Sequence, residues 1–274
     1  MGKDITRAMR AKDLGALVTT WQRGGEPRRR LVAALAKDGA LGWAERLLTG
    51  SHEARRLAAA VLGESEGNLE GATELLWGLV ADPDHRTRDI AAQAMGRLLS
   101  RQFAQVYPIL GAWRTDPDPL VRRAVPLAAA AGAEPERLDW AAPLLELISP
   151  LLSDRAPEVR PVLGPGVLAH RFFSLYPDDT FEYLAHWSTS HDEQVLWHVA
   201  MALSGPTAAA RFARKSLILL RKLSLDERRY VRGAVTAALK RLGALAPDPV
   251  LSELKRWLTD EARAPIARAA LGAL

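Results

Sequence analysis

The 274-residue chain is predicted to fold as an all-α protein, a right-handed α-solenoid of about seven helix pairs. Three observations predict it. Short stretches of one grammar, "DPDPLVRRAV" at 116–125 and "DERRYVRGAV" at 226–235, recur along the chain. The recurrence has a nearly fixed period, the mark of a repeat architecture. Ala and Leu are abundant while Phe, Tyr and Trp make up only 6% of residues, which favours helices over a β-sandwich.

The period is read from the aliphatic or small residue before the Arg. The anchors are Ala54, Thr87, Val121, Val159, Val195, Val231 and Ile266, separated by 33, 34, 38, 36, 36 and 35 residues. Positions three, four and seven beyond each anchor are nearly all small or aliphatic, as in Leu57, Ala58, Val61 and Ala234, Val235, Ala238. That spacing is one face of an α-helix. Small residues on it let neighbouring helices approach closely. The last set ends at Ala273.

Between these B helices lie apolar stretches of helical period at 69–80, 103–114, 139–152 and 248–258. Each ends near Asp, Ser or Pro, which stop one helix and cap the next. The repeating unit is a helix A, a short turn and a helix B. Residues 51–274 carry the repeats within one domain, 1–274. Residues 1–50 form an N-terminal helical cap, with one extra helix over residues 3–20.

Composition narrows the function classes. There is no Cys, so disulfides, thiolate metal sites and thiol nucleophiles are excluded, and a cytoplasmic location is the default. No apolar run is long enough to span a membrane, and the first residues lack a secretory apolar core. No phosphate-binding loop, dinucleotide fingerprint, nucleophile elbow or zinc-protease motif occurs. His186, His191 and His198 lack the i, i+4 spacing of a metal pair, so no metal or other cofactor is expected. A single-chain state is expected.

The formal net charge of +5 is unevenly placed. Residues 205–241 carry +8 and residues 1–30 carry +5, leaving −8 for the rest. Such clustering fits a localised anion-binding surface or a solvated helix face.

Where the chain breaks its own rule, function is sought. The fourth B helix, "EVRPVLGPGVLAH", holds Pro161, Gly164, Pro165 and Gly166, and must be kinked or broken. The fifth puts Leu196 at the Arg position and His198 at a core position, with Trp197 between them. The hydrogen-bonded core histidine is the first reading of His198. The third departure is doubled Arg, at Arg122 and Arg123 and at Arg228 and Arg229 ahead of Arg232.

The unit resembles the HEAT repeat, with Asp in the turn and Arg in helix B: Asp84 with Arg88, Asp118 with Arg122, Asp154 with Arg160, and Asp226 with Arg232. The resemblance spans about residues 50–274. It implies that each such Arg, like Arg55, reaches an Asp of a neighbouring turn and builds a ladder. "LVRRAV" (120–125), "YVRGAVTAAL" (230–239) and "DPDHRTRDIAAQAMGRLL" (82–99) further resemble segments of the HEAT-like DNA alkylation repair enzymes, the alkylpurine DNA glycosylases.

That second resemblance implies binding of duplex DNA and excision of cationic alkylated purines. A base that already bears positive charge leaves readily, so the enzyme's task is to stabilise an oxocarbenium-like sugar with a carboxylate. The matching carboxylate is Asp89, with Arg88 and Arg122 expected as its cationic neighbours. Arg122 or Arg123 matches the phosphate-holding Arg, and Trp197 is the candidate aromatic partner. The aromatic that precedes the family's acid is here His85. Arg228, Arg229 and Arg232 complete the expected DNA-binding set. Two alternatives stay open: a non-catalytic nucleic-acid-binding relative, and a protein-interaction scaffold, the commonest use of solenoids.

Overall fold

Six of the seven anchors are the third residue of a helix, the seventh caps one, and all seven are buried. The computed structural model describes residues 2–272, so Ala273 lies outside the described residues. No strand occurs among the described residues. The chain divides into two compact units, one ending at Gly132 and the other beginning at Ala133.

The first unit opens with α1 (Gly2–Ala11), α2 (Leu14–Gln22) and α3 (Gly25–Leu48). The single helix expected over residues 3–20 is therefore two. Lys12 turns to a φ of 51°, and Asp13 caps α2 by accepting from the Ala16 N–H at 3.0 Å. Helix α3 kinks at Gly39, whose φ of 130° only glycine adopts without strain. The helices α4 (His52–Leu62), α5 (Leu69–Val80), α6 (His85–Arg101), α7 (Phe103–Trp113) and α8 (Pro119–Gly132) follow. Pairs α3/α4, α5/α6 and α7/α8 are successive A/B units, with B helices α4, α6 and α8 packed in sequence.

Small residues set that packing. A Cβ built on Gly96 of α6 would fall 2.5 Å from the Ala131 Cβ and 2.7 Å from the Ala128 carbonyl oxygen of α8. One built on Gly132 would fall 2.7 Å from the Gly96 carbonyl oxygen. The two helices touch through backbone.

The second unit holds α9 (Ala141–Ile148), α10 (Arg160–Val162), a π-helix over Leu163–Phe172, α11 (Phe173–Leu175), α12 (Pro177–Trp187), α13 (Glu193–Ala202), α14 (Pro206–Leu223), α15 (Arg229–Leu245), α16 (Pro247–Trp257) and α17 (Ala264–Leu271). Its A helices are α9, α12, α14 and α16. Its B layer runs from the π segment through α13 and α15 to α17.

The break expected at the fourth B helix is thus a wide-turned helix. Pro161 falls in the first turn of α10, where no N–H is needed, and Pro165 falls inside the π segment. Glycine serves a second purpose there. A Cβ on Gly164 would sit 2.9 Å from the backbone of His198, so the π segment lies directly against α13. Val162, just before that segment, and Gly166 within it are half-buried.

Candidate nucleic-acid interface

The Asp–Arg grammar yields more than one device. At the turn Asp82–Pro83–Asp84 the ladder forms: Arg55 donates to Asp82 at 2.6 Å, and Arg56 grips Asp84 with two bonds of 2.8 Å. Asp84 also caps α6, accepting from the Thr87 N–H and hydroxyl, both at 2.8 Å. The Arg56 guanidinium, with Thr87 adding to it, holds the Asp84 carboxyl far below the usual carboxylate range.

Two other ladder residues also bind main-chain carbonyls. Arg88 donates to the Asp82 and Pro83 carbonyls at 2.7 and 3.0 Å, and Arg122 to those of Asp116 and Pro117 at 2.8 and 3.0 Å. Each clasps the turn that precedes its own helix.

The doubled Arg therefore divides its work. Arg122 holds its turn, and Arg123 crosses to α6, where its Nη2 lies 2.8 Å from Asp89 Oδ1. The cation paired with Asp89 is thus Arg123, rather than the expected Arg88 or Arg122. The Asp89 side chain keeps 43% of its surface exposed, and Arg123 keeps 21%. His85, one turn earlier on α6, is exposed.

In the second unit, Arg160 leaves the ladder altogether. Its Nη2 donates to the Tyr230 hydroxyl, and its guanidinium carbon lies 5.6 Å from the Trp197 ring centre and 5.5 Å from that of Tyr230. The Trp197 and Tyr230 rings stack at 6.2 Å with 13° between their planes. The Tyr230 hydroxyl donates to Gln194 Oε1 at 2.9 Å, and the Gln194 amide lies 3.2 Å from His198 Nε2. His198 Nδ1 accepts from the Gly164 N–H at 3.1 Å. Its ring is fully buried, and that burial, helped by the Arg160 charge, pushes its pKa down to about 3. His198 is a neutral core histidine, as its position suggested.

This chain of contacts holds an aromatic shelf in a groove between α13 and α15. Trp197 and Tyr230 form one wall, Arg229 and Arg241 flank it, and Gly233 and Ala237 leave the floor open. Arg229 and Arg241 are exposed, and neither makes an ion pair among the described residues.

The remaining expected site residues fall elsewhere. Arg228 grips Asp226 of its own turn through Nε at 2.9 Å and reaches across to the His191 carbonyl, in the turn of the preceding repeat, at 2.7 Å. Arg232 is half-buried and lies about 140° round α15 from the groove, at 100° per residue. The +8 segment is split between two helix layers. Arg211, Arg214, Lys215, Arg221 and Lys222 lie on the A helix α14, whereas Arg229, Arg232, Lys240 and Arg241 lie on the B helix α15.

Sequence reasoning missed Tyr230 and Arg241 as lining of this groove, and Arg160 as the cation behind its wall. The available signal was an aromatic 36 residues beyond Gln194, one repeat on at the start of the next B helix.

No family model matches the chain. No curated protein matches either. Several solved structures are similar. An engineered protein aligns over 98% of this chain and 80% of its own, at 18% identity and a TM-score of 0.37. The E. coli protein YibA aligns over 93% of this chain and 91% of its own, at 16% identity and a TM-score of 0.41. A designed armadillo repeat protein aligns over 96% of this chain and 100% of its own, at 19% identity and a TM-score of 0.26. No helix among the described residues is long and apolar enough to cross a membrane.

Proposed function

We propose that the chain binds duplex DNA through its phosphate backbone, without marked sequence preference. The observation that carries this reading is the α13–α15 groove, where Arg229 and Arg241 flank the stacked Trp197–Tyr230 pair without carboxylate partners. A guanidinium free of a carboxylate is available to a phosphate oxygen, which it meets with paired N–H donors. The aromatic wall offers the sugar or an unstacked base an apolar face. Arg160 fixes that wall from behind, so the shelf is ordered before a ligand arrives.

A titration with labelled duplex DNA tests it. Affinity should fall with salt at a log–log slope of about −0.9 per phosphate contacted, and Arg229→Ala with Arg241→Ala should flatten that slope by about two contacts. DNA affinity that ignores salt would overturn the reading.

A second reading, excision of cationic alkylated purines, rests on Asp89 and Arg123. The resemblance to alkylpurine DNA glycosylases asks for a carboxylate and a phosphate-holding Arg on successive B helices, and these two residues are paired there. The carboxylate would stabilise the developing charge on the sugar while the purine departs as a neutral base and water adds at C1′.

A further inference from the structure

The A-helix layer of the second unit carries a second basic groove, between α14 and α16, of about 880 Å³. Its construction begins at Phe212, where α14 departs from helical geometry with φ −126° and ψ 15°. The Phe212 ring stacks on Phe181 at 5.0 Å and pins the start of the helix. Beyond that point Arg214, Lys215 and Ile218 face outward, and Ile218 is 58% exposed.

The opposite wall is organised by Glu253, a carboxylate only 5% exposed. It accepts from Arg221 Nε of α14 at 2.6 Å and from the Trp257 indole N–H at 2.7 Å, and Arg256 lies 3.6 Å away. A buried acid thus ties the two helices together. Arg256, with 74% of its side chain exposed, stands at the rim.

The surface that results is mixed. An exposed aliphatic residue lies among cations, with the exposed carboxylate of Asp248 nearby. A polyphosphate backbone suits it poorly, because it has no apolar group for Ile218. A peptide has aliphatic side chains, carboxylates and backbone N–H donors together.

We propose that the α14–α16 groove docks an acidic peptide segment of a partner protein. One aliphatic side chain packs on Ile218, and flanking carboxylates meet Arg214, Lys215 and Arg256. The site lies on the A layer, so it is separate from the B-layer groove proposed for DNA and does not depend on that reading.

The test uses the full chain and a labelled 12-residue peptide repeating Glu-Leu-Asp-Glu, followed by fluorescence anisotropy. The peptide should bind below about 0.1 mM. Replacing its Leu residues with Ser should weaken binding at least about tenfold, as should Ile218→Asp or the double variant Arg214→Glu/Lys215→Glu in the protein. These side chains are exposed, and thermal melts monitored by circular dichroism verify that the variants fold. Arg229→Ala should leave peptide affinity unchanged, and excess duplex DNA should not displace the peptide. The proposal is overturned by absent binding at that concentration, by equal binding of the Ser peptide, by indifference to Ile218→Asp, or by displacement with DNA.

Discussion

Arg123 Nη2 meets Asp89 Oδ1 at 2.8 Å across two successive B helices, while Arg122 beside it turns back to the carbonyls of its own turn. The two neighbours point apart because consecutive helix residues are about 100° apart. Their substitution should separate stability from binding. Arg122→Ala removes charged hydrogen bonds to a turn and should destabilise the fold by about 1–2 kcal/mol. Arg123→Ala removes a partly exposed pair, under about 1 kcal/mol, and should weaken DNA binding severalfold. Denaturant melts and a DNA titration on both variants read the difference. If Arg123→Ala binds DNA like the parent, the pair is a structural rung only.

Asp89→Asn keeps the shape of the side chain and removes its charge. If the chain excises alkylated bases, release of 7-methylguanine or 3-methyladenine from methylated DNA should fall at least about tenfold, or about 1.4 kcal/mol at the transition state. Parent protein that releases no base, or an Asn variant of full activity, would end the glycosylase reading and leave DNA binding intact.

Opposite effects are predicted for two glycine substitutions, one at the α6–α8 contact and one away from it. Gly96→Ala must push its methyl group into Ala131 and the Ala128 carbonyl, and should cost about 1–3 kcal/mol. Gly111 lies inside α7 with nothing within 4 Å of an added Cβ. Gly111→Ala should therefore stabilise by about 0.5–1 kcal/mol through helix propensity. Calorimetric melts of the two variants distinguish them.

Acid should unfold the second unit first through His198. Its folded pKa, about 3, lies below the ordinary 6.5, so the unfolded chain takes up the proton more readily. The stability is whole above pH 6.5 and is lost as pH falls toward 3, by at most about 1.4 kcal/mol per pH unit. Asp84 adds its own loss lower down, since its lowered pKa makes the folded form fully favoured only above its ordinary 3.8. His198→Asn should flatten the loss between pH 6 and 4, seen in urea midpoints, and leave the Asp84 loss in place. An unchanged pH profile in that variant would refute the assignment.

Much of the fold was legible because burial and period reinforce each other. The anchors Thr87, Val121 and Val231 mark B helices since a repeat must present one apolar face to each neighbour. The A helix over 69–80 was found to the residue, bounded by the Asn68 cap. The N-terminal cap was less legible. Its break at Lys12 and its kink at Gly39 depend on positive φ angles that carry no periodic signal. At the fourth B helix, Pro161 and Pro165 announced a break, but the π register and the Gly164 N–H bond to His198 that accompanies it are tertiary features with no periodic signal. The site was hardest to read. Arg160 looks like every other ladder Arg, and only the tertiary placement of Trp197 and Tyr230 diverts it.

That diversion changes how the second unit transmits stress. In a stack of repeats each unit ordinarily touches only its immediate neighbours, and the whole behaves as a chain of independent links. Arg160 and Tyr230 are 70 residues apart and join the fourth B helix directly to the sixth, with the fifth held between through Gln194 and His198. The bond is a second-neighbour coupling. Three consecutive repeats are thereby tied by one set of side chains, so peeling the sixth away also costs the fourth a bond. The α16/α17 pair lies outside this clamp and is held to the sixth repeat instead by the Arg221–Glu253 contact.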